Sequence, residues 1–460
     1  MNRTPNIIVV DNEKSELIDI QNGFFNGGIP CLPIHYQYDL MTNKSGLDHI
    51  TLSDFEPRIV VSDLNLRDLS LTAPIELVQP VATMLKKLEL EGPYILIFWS
   101  GVAQLVDTVM ATLQERFYSD INLPMYHTSI DKSQFSGSGN ATALKDKLNE
   151  IIKESKLFNA LMDWEGRVAI SARNTTNSLF NLTKPIAVAP EADYQVLHTA
   201  KLQTILATIG NETLGVKNAK DEPEVALDLG LAPVLHDHLQ GLTETQDRSI
   251  WLEAVPDIGK RLHPEQDVKA HLNSFYHVGA VSDDSQKSKR GTWIEFNSEY
   301  LNTPGNAQKI KSQFGKTIKT ILHEEFLDNR QGKSEERATA RNDTTIGFIE
   351  LSAECDQAQR KTKLHKYLLS ALIPVKHSRF TIFGEGARNT AHSGIYRLPN
   401  LMIDGEEFIV KVTFMYQIGV IPDTHKWLGL AKFSLKDQIL ADISYQCSQH
   451  ASRPGIIRFD

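Results

Sequence analysis

Four residues stand at the ends of apolar runs with types and spacing that could do chemistry together. Ile59, Val60 and Val61 run straight into Ser62 and Asp63, with Asn65 two places further on. Asn6–Val10 (NIIVV) ends in Asp11, Tyr94–Trp99 (YILIFW) ends in Ser100-Gly101, and Pro124–Ile130 leads into Asp131-Lys132. A short continuous apolar run reads as a buried parallel strand. A side chain at the carboxyl end of such a strand sits where open α/β sheets place their ligands. Asp11, Asp63, Ser100 and Lys132 would then lie at one edge, and a carboxylate would face a crevice with charged and hydrogen-bonding partners around it.

The elements that must position them follow in order. Glu13–Phe25 has helical spacing (Leu17, Ile18, Ile20, Phe24), and a weaker strand lies near Cys31–Ile34. Ala73–Leu90 reads as a helix that Pro80 must kink or restart. Gln104–Phe117 reads as helix before the fifth strand. Five strands alternating with helices imply an α/β fold with a doubly wound, five-stranded parallel sheet.

This constellation resembles the receiver domain of two-component response regulators, over roughly residues 5–136. The stretch SDLNL matches the phosphoacceptor strand, VVDNE the acidic first turn, Ser100-Gly101 the hydroxyl and small residue after the fourth strand, and Lys132 the lysine after the fifth. The resemblance implies a flavodoxin-like fold and phosphorylation of Asp63 by a partner histidine kinase. It also implies Mg²⁺ held by Asp11, Asp63 and the backbone carbonyl of Asn65, with Lys132 and Ser100 meeting the phosphoryl group. The chemistry accounts for these residue types: phosphoryl transfer is mainly positioning and charge neutralisation, and Mg²⁺ takes few carboxylates plus waters. The chain departs from the family at Asn12, where a second acid is usual and Glu13 follows instead. Ser133 stands where proline is usual after the lysine, and Ser129 where an aromatic residue is usual. These departures keep a pseudo-receiver that never carries phosphate among the readings.

Composition bounds the function classes. The 460 residues predict two or three domains at about 150 residues each. A net charge of −9 and a pI near 5.9 argue against a mainly electrostatic grip on nucleic acid or anionic membrane. Cys31, Cys355 and Cys447 lie far apart without CxxC spacing, which fits a reducing compartment rather than a disulfide framework or zinc site. An early acidic residue argues against a signal peptide. No apolar run approaches the roughly 20 residues of a membrane helix. The expectation is a cytoplasmic protein.

Ser136-Gly137-Ser138-Gly139-Asn140 reads as a linker, dividing a receiver domain (1–137) from a helical middle domain (141–278) and an α+β, β-rich output domain (279–460). In the middle domain, helical spacing runs from Leu144 to about Leu182 and continues at Val196–Ile209, Val225–Leu242 and Ser249–Leu262. A helix after a receiver can pair two protomers into a homodimer, and is equally the first helix of a bundle core. His236 and His238 lie two apart, so on a helix they do not share a face; they read as structural or solvated.

In the output domain Trp293–Phe296, Thr345–Ser352, Arg379–Phe383 and Phe408–Tyr416 read as strands. Ala307–Leu327 reads as an amphipathic helix, and Asn329–Thr345 as a charged loop. Ser434–His450 reads as a helix with a Ser434/Asp437 capping box. Glu350, Cys355 and Asp356, in ELSAECDQAQRK, are the candidates for output chemistry; a Cys355 nucleophile would need a base, with His377 or His450 as the available partners. The alternative for this stretch is a strand exit stabilised by local hydrogen bonds. Arg453 in SRPG reads as a turn residue or an anion contact. No helix-turn-helix with a basic recognition helix and no zinc spacing occurs.

The layout of receiver, helical middle and β-rich end also resembles response-regulator-like proteins of Detocs-type phage-defence clusters, a resemblance that rests on layout and on the ECD and SRPG stretches. Together these imply a response regulator that signals or buffers phosphate through contact with an effector protein or a second response regulator. The rivals are a receiver-gated hydrolase or nuclease centred on Glu350, Cys355 and Asp356, and a pseudo-receiver scaffold.

Overall fold

The computed structural model describes residues 6–37, 46–49, 55–67, 74–135, 141–185, 193–243, 248–281, 287–328, 332–358, 361–381 and 394–452. The 136–140 linker and Arg453 lie outside the described residues. The chain divides into two compact units, Met1–His198 with Leu231–Lys260, and Thr199–Gly230 with Arg261–Asp460. Each is taken by itself.

The first unit begins with β1 (Ile7–Asp11), α1 (Lys14–Asn26), β2 (Cys31–His35), β3 (Ile59–Ser62), α2 (Pro74–Leu88), β4 (Ile95–Trp99), α3 (Val106–Phe117) and β5 (Tyr126–Ile130). The five strands form one sheet in the order β2-β1-β3-β4-β5, and every pairing is parallel. This is the doubly wound order of flavodoxin-like folds. The central strands are β-branched and wholly buried because helices cover both faces. Alternate residues serve opposite faces: Ile8, Val10, Val60, Leu96 and Phe98 pack with α2 and α3, through Leu77, Val81, Leu85 and Leu113. Ile7, Val9, Ile59, Val61, Ile95 and Ile97 pack on the other face, against Leu17, Ile20 and Phe24 of α1. Pro33 can sit in β2 because that strand is an edge, where a missing N–H costs no ladder bond. The helix α2 continues through Pro80.

The run of helical spacing after the linker is two helices, α4 (Ala141–Glu154) and α5 (Lys156–Thr183), divided at Ser155. Leu144, Leu148 and Ile151 of α4 complete the core beneath α1. On α5 the buried face turns polar: Arg167, Ser171, Thr175 and Thr183 are all buried. Arg167 is held by Asp163 at 3.0 Å and donates to Thr243 Oγ1 at 3.1 Å, and Thr183 meets His198 Nε2 at 2.9 Å. Of the further helices, α6 (Tyr194–Leu214) and α8 (Pro223–Thr243) are divided between the two units, α7 (Val216–Asp221) belongs to the second, and α9 (Ser249–Ala254) to the first. The last ends well before Leu262, the expected end. His238 Nδ1 meets Thr175 Oγ1 at 3.1 Å, and His236 Nε2 meets Gln240 Nε2 at 2.9 Å.

The second unit carries α10 (Gln266–His277) and an antiparallel sheet of eight strands: β6 (Val278–Gly279), β7 (Thr292–Phe296), β8 (Thr345–Glu350), β9 (His365–Pro374), β10 (Ile395–Arg397), β11 (Leu401–Ile403), β12 (Glu406–Val420) and β13 (Leu428–Leu435). Their order is β10-β12-β9-β8-β7-β13-β6, with β11 beside β12. One face, with Ile294, Phe296, Phe348, Tyr367 and Leu369, packs on Ile310, Ile321 and Phe326. The other, with Trp293, Ile349, Leu368 and Val410, packs on Ile439, Leu440 and Ile443 of the C-terminal helix.

Several local expectations fail here for identifiable reasons. Ala307–Leu327 is not one helix: it breaks into α11 (Asn306–Phe314), α12 (Ile318–Ile321) and a π-helical turn (Leu322–Phe326). Gly315, at φ +74°, ends α11 in the left-handed conformation that glycine alone adopts freely. The charged stretch expected as a loop contains α13 (Ser334–Asp343), whose N-terminus is closed by Glu336 accepting from Lys333 N at 2.8 Å. The expected strand at Arg379 is a 3₁₀ helix, Val375–Thr381. Ser434 belongs to β13, so the last helix starts at Asp437 without the capping box.

Gly347 shows how tightly β7 and β8 meet. A Cβ there would lie 2.4 Å from Trp293 Cζ2 and 2.5 Å from the Ile294 carbonyl oxygen. Gly347→Ala should therefore destabilise this unit by about 1–3 kcal/mol, measured as a lowered thermal midpoint; an unchanged midpoint would contradict the packing described.

Candidate functional site

The carboxyl ends of the parallel strands place the site. Asp11 is the last residue of β1, and Asp63, Ser100 and Lys132 follow β3, β4 and β5. Backbone bonds continue the ladder past the strand ends and fix these residues: Asp63 N donates to Val10 O at 2.9 Å, Ser100 N to Ile130 O at 3.0 Å, and Tyr36 N to Asp11 O at 2.8 Å.

Lys132 ties the site together. Its Nζ lies 3.1 Å from Asp63 Oδ1 and 3.8 Å from Asp11 Oδ2, and it also forms an ion pair with Glu16 of α1. Asp63 Oδ2 accepts from Asn65 N at 3.2 Å, and Asp11 Oδ1 accepts from Glu13 N at 2.8 Å. Asp11 Oδ2 is buried and meets no hydrogen-bond donor. Ser100 is buried on the same edge, where its Oγ accepts from Val102 N at 3.2 Å. Asn12 turns its backbone carbonyl to His35 Nε2 at 2.9 Å.

The electrostatics follow from burial. Desolvation pushes Asp11 up to about 7, opposed by the Glu13 amide and by Lys132. Burial also raises Asp63, and Lys132 works against that shift. Burial disfavours the Lys132 ammonium, but Glu16, Asp63 and Asp11 outweigh it and hold Lys132 above its ordinary value. Two buried carboxylates with one ammonium form a site short of positive charge.

Such a site suits a hard cation. Mg²⁺ binds one or two carboxylates and keeps several waters, and the orphaned Asp11 Oδ2 is a ligand atom without a donor. Asp11 and Asp63 supply the one or two carboxylates that an ion of this kind takes. Among the described residues, no three His, Cys, Asp or Glu side chains converge as a metal set, so Glu16 meets the site through Lys132 instead. Glu16 was not legible as a site residue in the sequence; the available signal was an acid in the first turn of the helix that follows the Asp11 turn.

The output candidates are placed differently. Glu350, at the end of β8, is fully buried and takes four donors: Ser352 Oγ, Ser352 N at 3.2 Å, Gln357 Nε2 at 2.8 Å and His365 Nδ1 at 3.0 Å. It thereby joins the end of β8 to the start of β9 and to α14 (Glu354–Ala358). Asp356, on α14, is exposed, and the Cys355 side chain lies outside the described residues. His377, a partner considered for Cys355, is instead bonded to Asp343 Oδ2 at 2.8 Å, and His450 packs against Phe414. His365 escaped sequence reasoning because β9 was not recognised as a strand, whereas Ser352 and Gln357 lie within the ELSAECDQAQRK stretch and supply local hydrogen bonds at the strand exit.

No family model matches the chain, and no curated protein matches it. Among the described residues no helix is long and apolar enough to cross a membrane.

The Asp11 shift has a testable sign. A folded value near 7, above the ordinary carboxylate value, means that folded protein holds a proton which the unfolded chain has released. The stability due to that proton is present below about pH 4 and lost as pH rises through about 7. Asp11→Asn should thus match wild type near pH 4 and melt higher by a few degrees at about pH 8. Millimolar Mg²⁺ should raise the wild-type midpoint at pH 8 and leave Asp11→Asn unmoved. Parallel melting curves at both pH values would contradict the assignment.

Proposed function

We propose that the chain is a response regulator whose N-terminal α/β domain accepts a phosphoryl group on Asp63 from a partner histidine kinase in the cytoplasm. The observation that supports this best is the Lys132 ammonium set between Asp63 and Asp11 at the carboxyl edge of a 2-1-3-4-5 parallel sheet. In the transfer, an Asp63 carboxylate oxygen forms a bond to phosphorus as the phosphorus–nitrogen bond of a phosphohistidine breaks. The electron pair of that bond returns to the imidazole. Lys132 would neutralise a phosphoryl oxygen, and Ser100 would exchange its bond with the Val102 amide for one to the phosphoryl group. Mg²⁺, when bound by Asp11, Asp63 and the Asn65 carbonyl, would screen the charge between carboxylate and phosphoryl group. The movement of Ser100 would carry the signal onward, and the second unit would act through contact with an effector protein.

A rival draws on Asn12, which removes one acid from the first turn: a scaffold that never carries phosphate. For a hydrolytic output site the geometry offers less support, because Glu350 already receives four hydrogen bonds, as a structural anchor does.

The test is labelling with acetyl phosphate or a cognate kinase in Mg²⁺, read by intact mass. Wild type should gain one phosphoryl group and Asp63→Ala none, with loss of label when Mg²⁺ is chelated. No labelling of wild type from either donor would leave the scaffold as the better account.

A further inference from the structure

We propose that Glu16 is a positioning residue that competes with the phosphoryl group for Lys132 and so slows phosphorylation; this rests on Asp63 being the phosphoacceptor. Lys132 divides its ammonium among Glu16, Asp63 and Asp11. These partners are not equivalent. Asp11 and Asp63 are buried at strand ends and cannot leave the site. Glu16 stands on the first turn of α1, its side chain 43% exposed. It lines a cleft open to solvent together with Asp19, Ile20, Trp99, Phe135 and Lys132 itself. Its carboxylate therefore has water to move into when a stronger anion claims the lysine.

A phosphoryl group on Asp63 is such an anion. It brings further negative charge to a site already short of cations, and its oxygens compete for the Lys132 ammonium that Glu16 now engages. Each phosphorylation must displace Glu16 from the lysine, and each loss of phosphate lets Glu16 return. The charge that Asn12 removes from the first turn thus reappears one helical turn later, on the lysine side of the site. Asp19 lines the same cleft, so among the described lining residues a released Glu16 meets a second acid and, besides Lys132, no cation.

Initial labelling rates with acetyl phosphate and Mg²⁺ on the full chain decide this, for wild type, Glu16→Gln, Lys132→Ala and the double variant. Glu16→Gln should label about 3- to 5-fold faster, the size expected of one partly exposed ion pair, and the gain should vanish in the Lys132→Ala background. Acylation of Lys132 by an N-hydroxysuccinimide ester, followed by peptide mass spectrometry, should also rise in Glu16→Gln while Lys147 is unchanged. An unaltered labelling rate in Glu16→Gln, or the same gain without Lys132, would overturn the role of Glu16. Wild type that takes no label, with Lys132 acylation still raised by Glu16→Gln, would instead overturn Asp63 as phosphoacceptor, and the competition with it.

Discussion

One ammonium holds the carboxyl edge of the parallel sheet together. Asp11 and Asp63 end adjacent strands, and the ladder spacing of a parallel sheet leaves their carboxylates no room to separate. Both are buried, so water cannot screen them, and Lys132 is the cation that makes their proximity tolerable. Because burial raises the proton affinity of Asp11 and Asp63 together, the edge is strained electrostatically in a way that a divalent ion or a proton relieves. Much of the N-terminal unit serves this placement. The wholly buried strands β1, β3 and β4 are rigid enough to hold charged ends at fixed separations.

The C-terminal unit uses a buried acid to the opposite effect. Glu350 is as inaccessible as Asp11, but a hydroxyl, an amide N–H, a carboxamide and an imidazole surround it. A buried carboxylate with a full set of donors is a stable joint, whereas one with an orphaned oxygen, such as Asp11, remains available to a ligand. Donor counting separates the two acids where burial does not. The polar face of α5 belongs with Glu350: Arg167, Thr175 and Thr183 are satisfied by Asp163, Thr243, His238 and His198, and the helix contacts gain specificity from directional bonds.

The amino-acid sequence by itself determined the parallel sheet and the four residues at its edge. Runs such as Ile7–Val10 and Ile95–Trp99 are short for buried helices and too apolar for surface strands, and their alternation with helical stretches points to a covered parallel sheet. Tertiary structure decided the rest. Glu16 becomes a neighbour of Lys132, 116 residues along the chain, only when α1 packs on the sheet face that β1 presents and Lys132 reaches in from the end of β5. The strand β9 was hidden because HKYLLSALIP has no alternation: it is central in its sheet and buried on both faces. His365 could therefore not be paired with Glu350 in advance. Where a side chain's role depends on local periodicity it could be read directly. Where it depends on which charges share a low-dielectric edge, only the folded chain brings those charges within reach of one another.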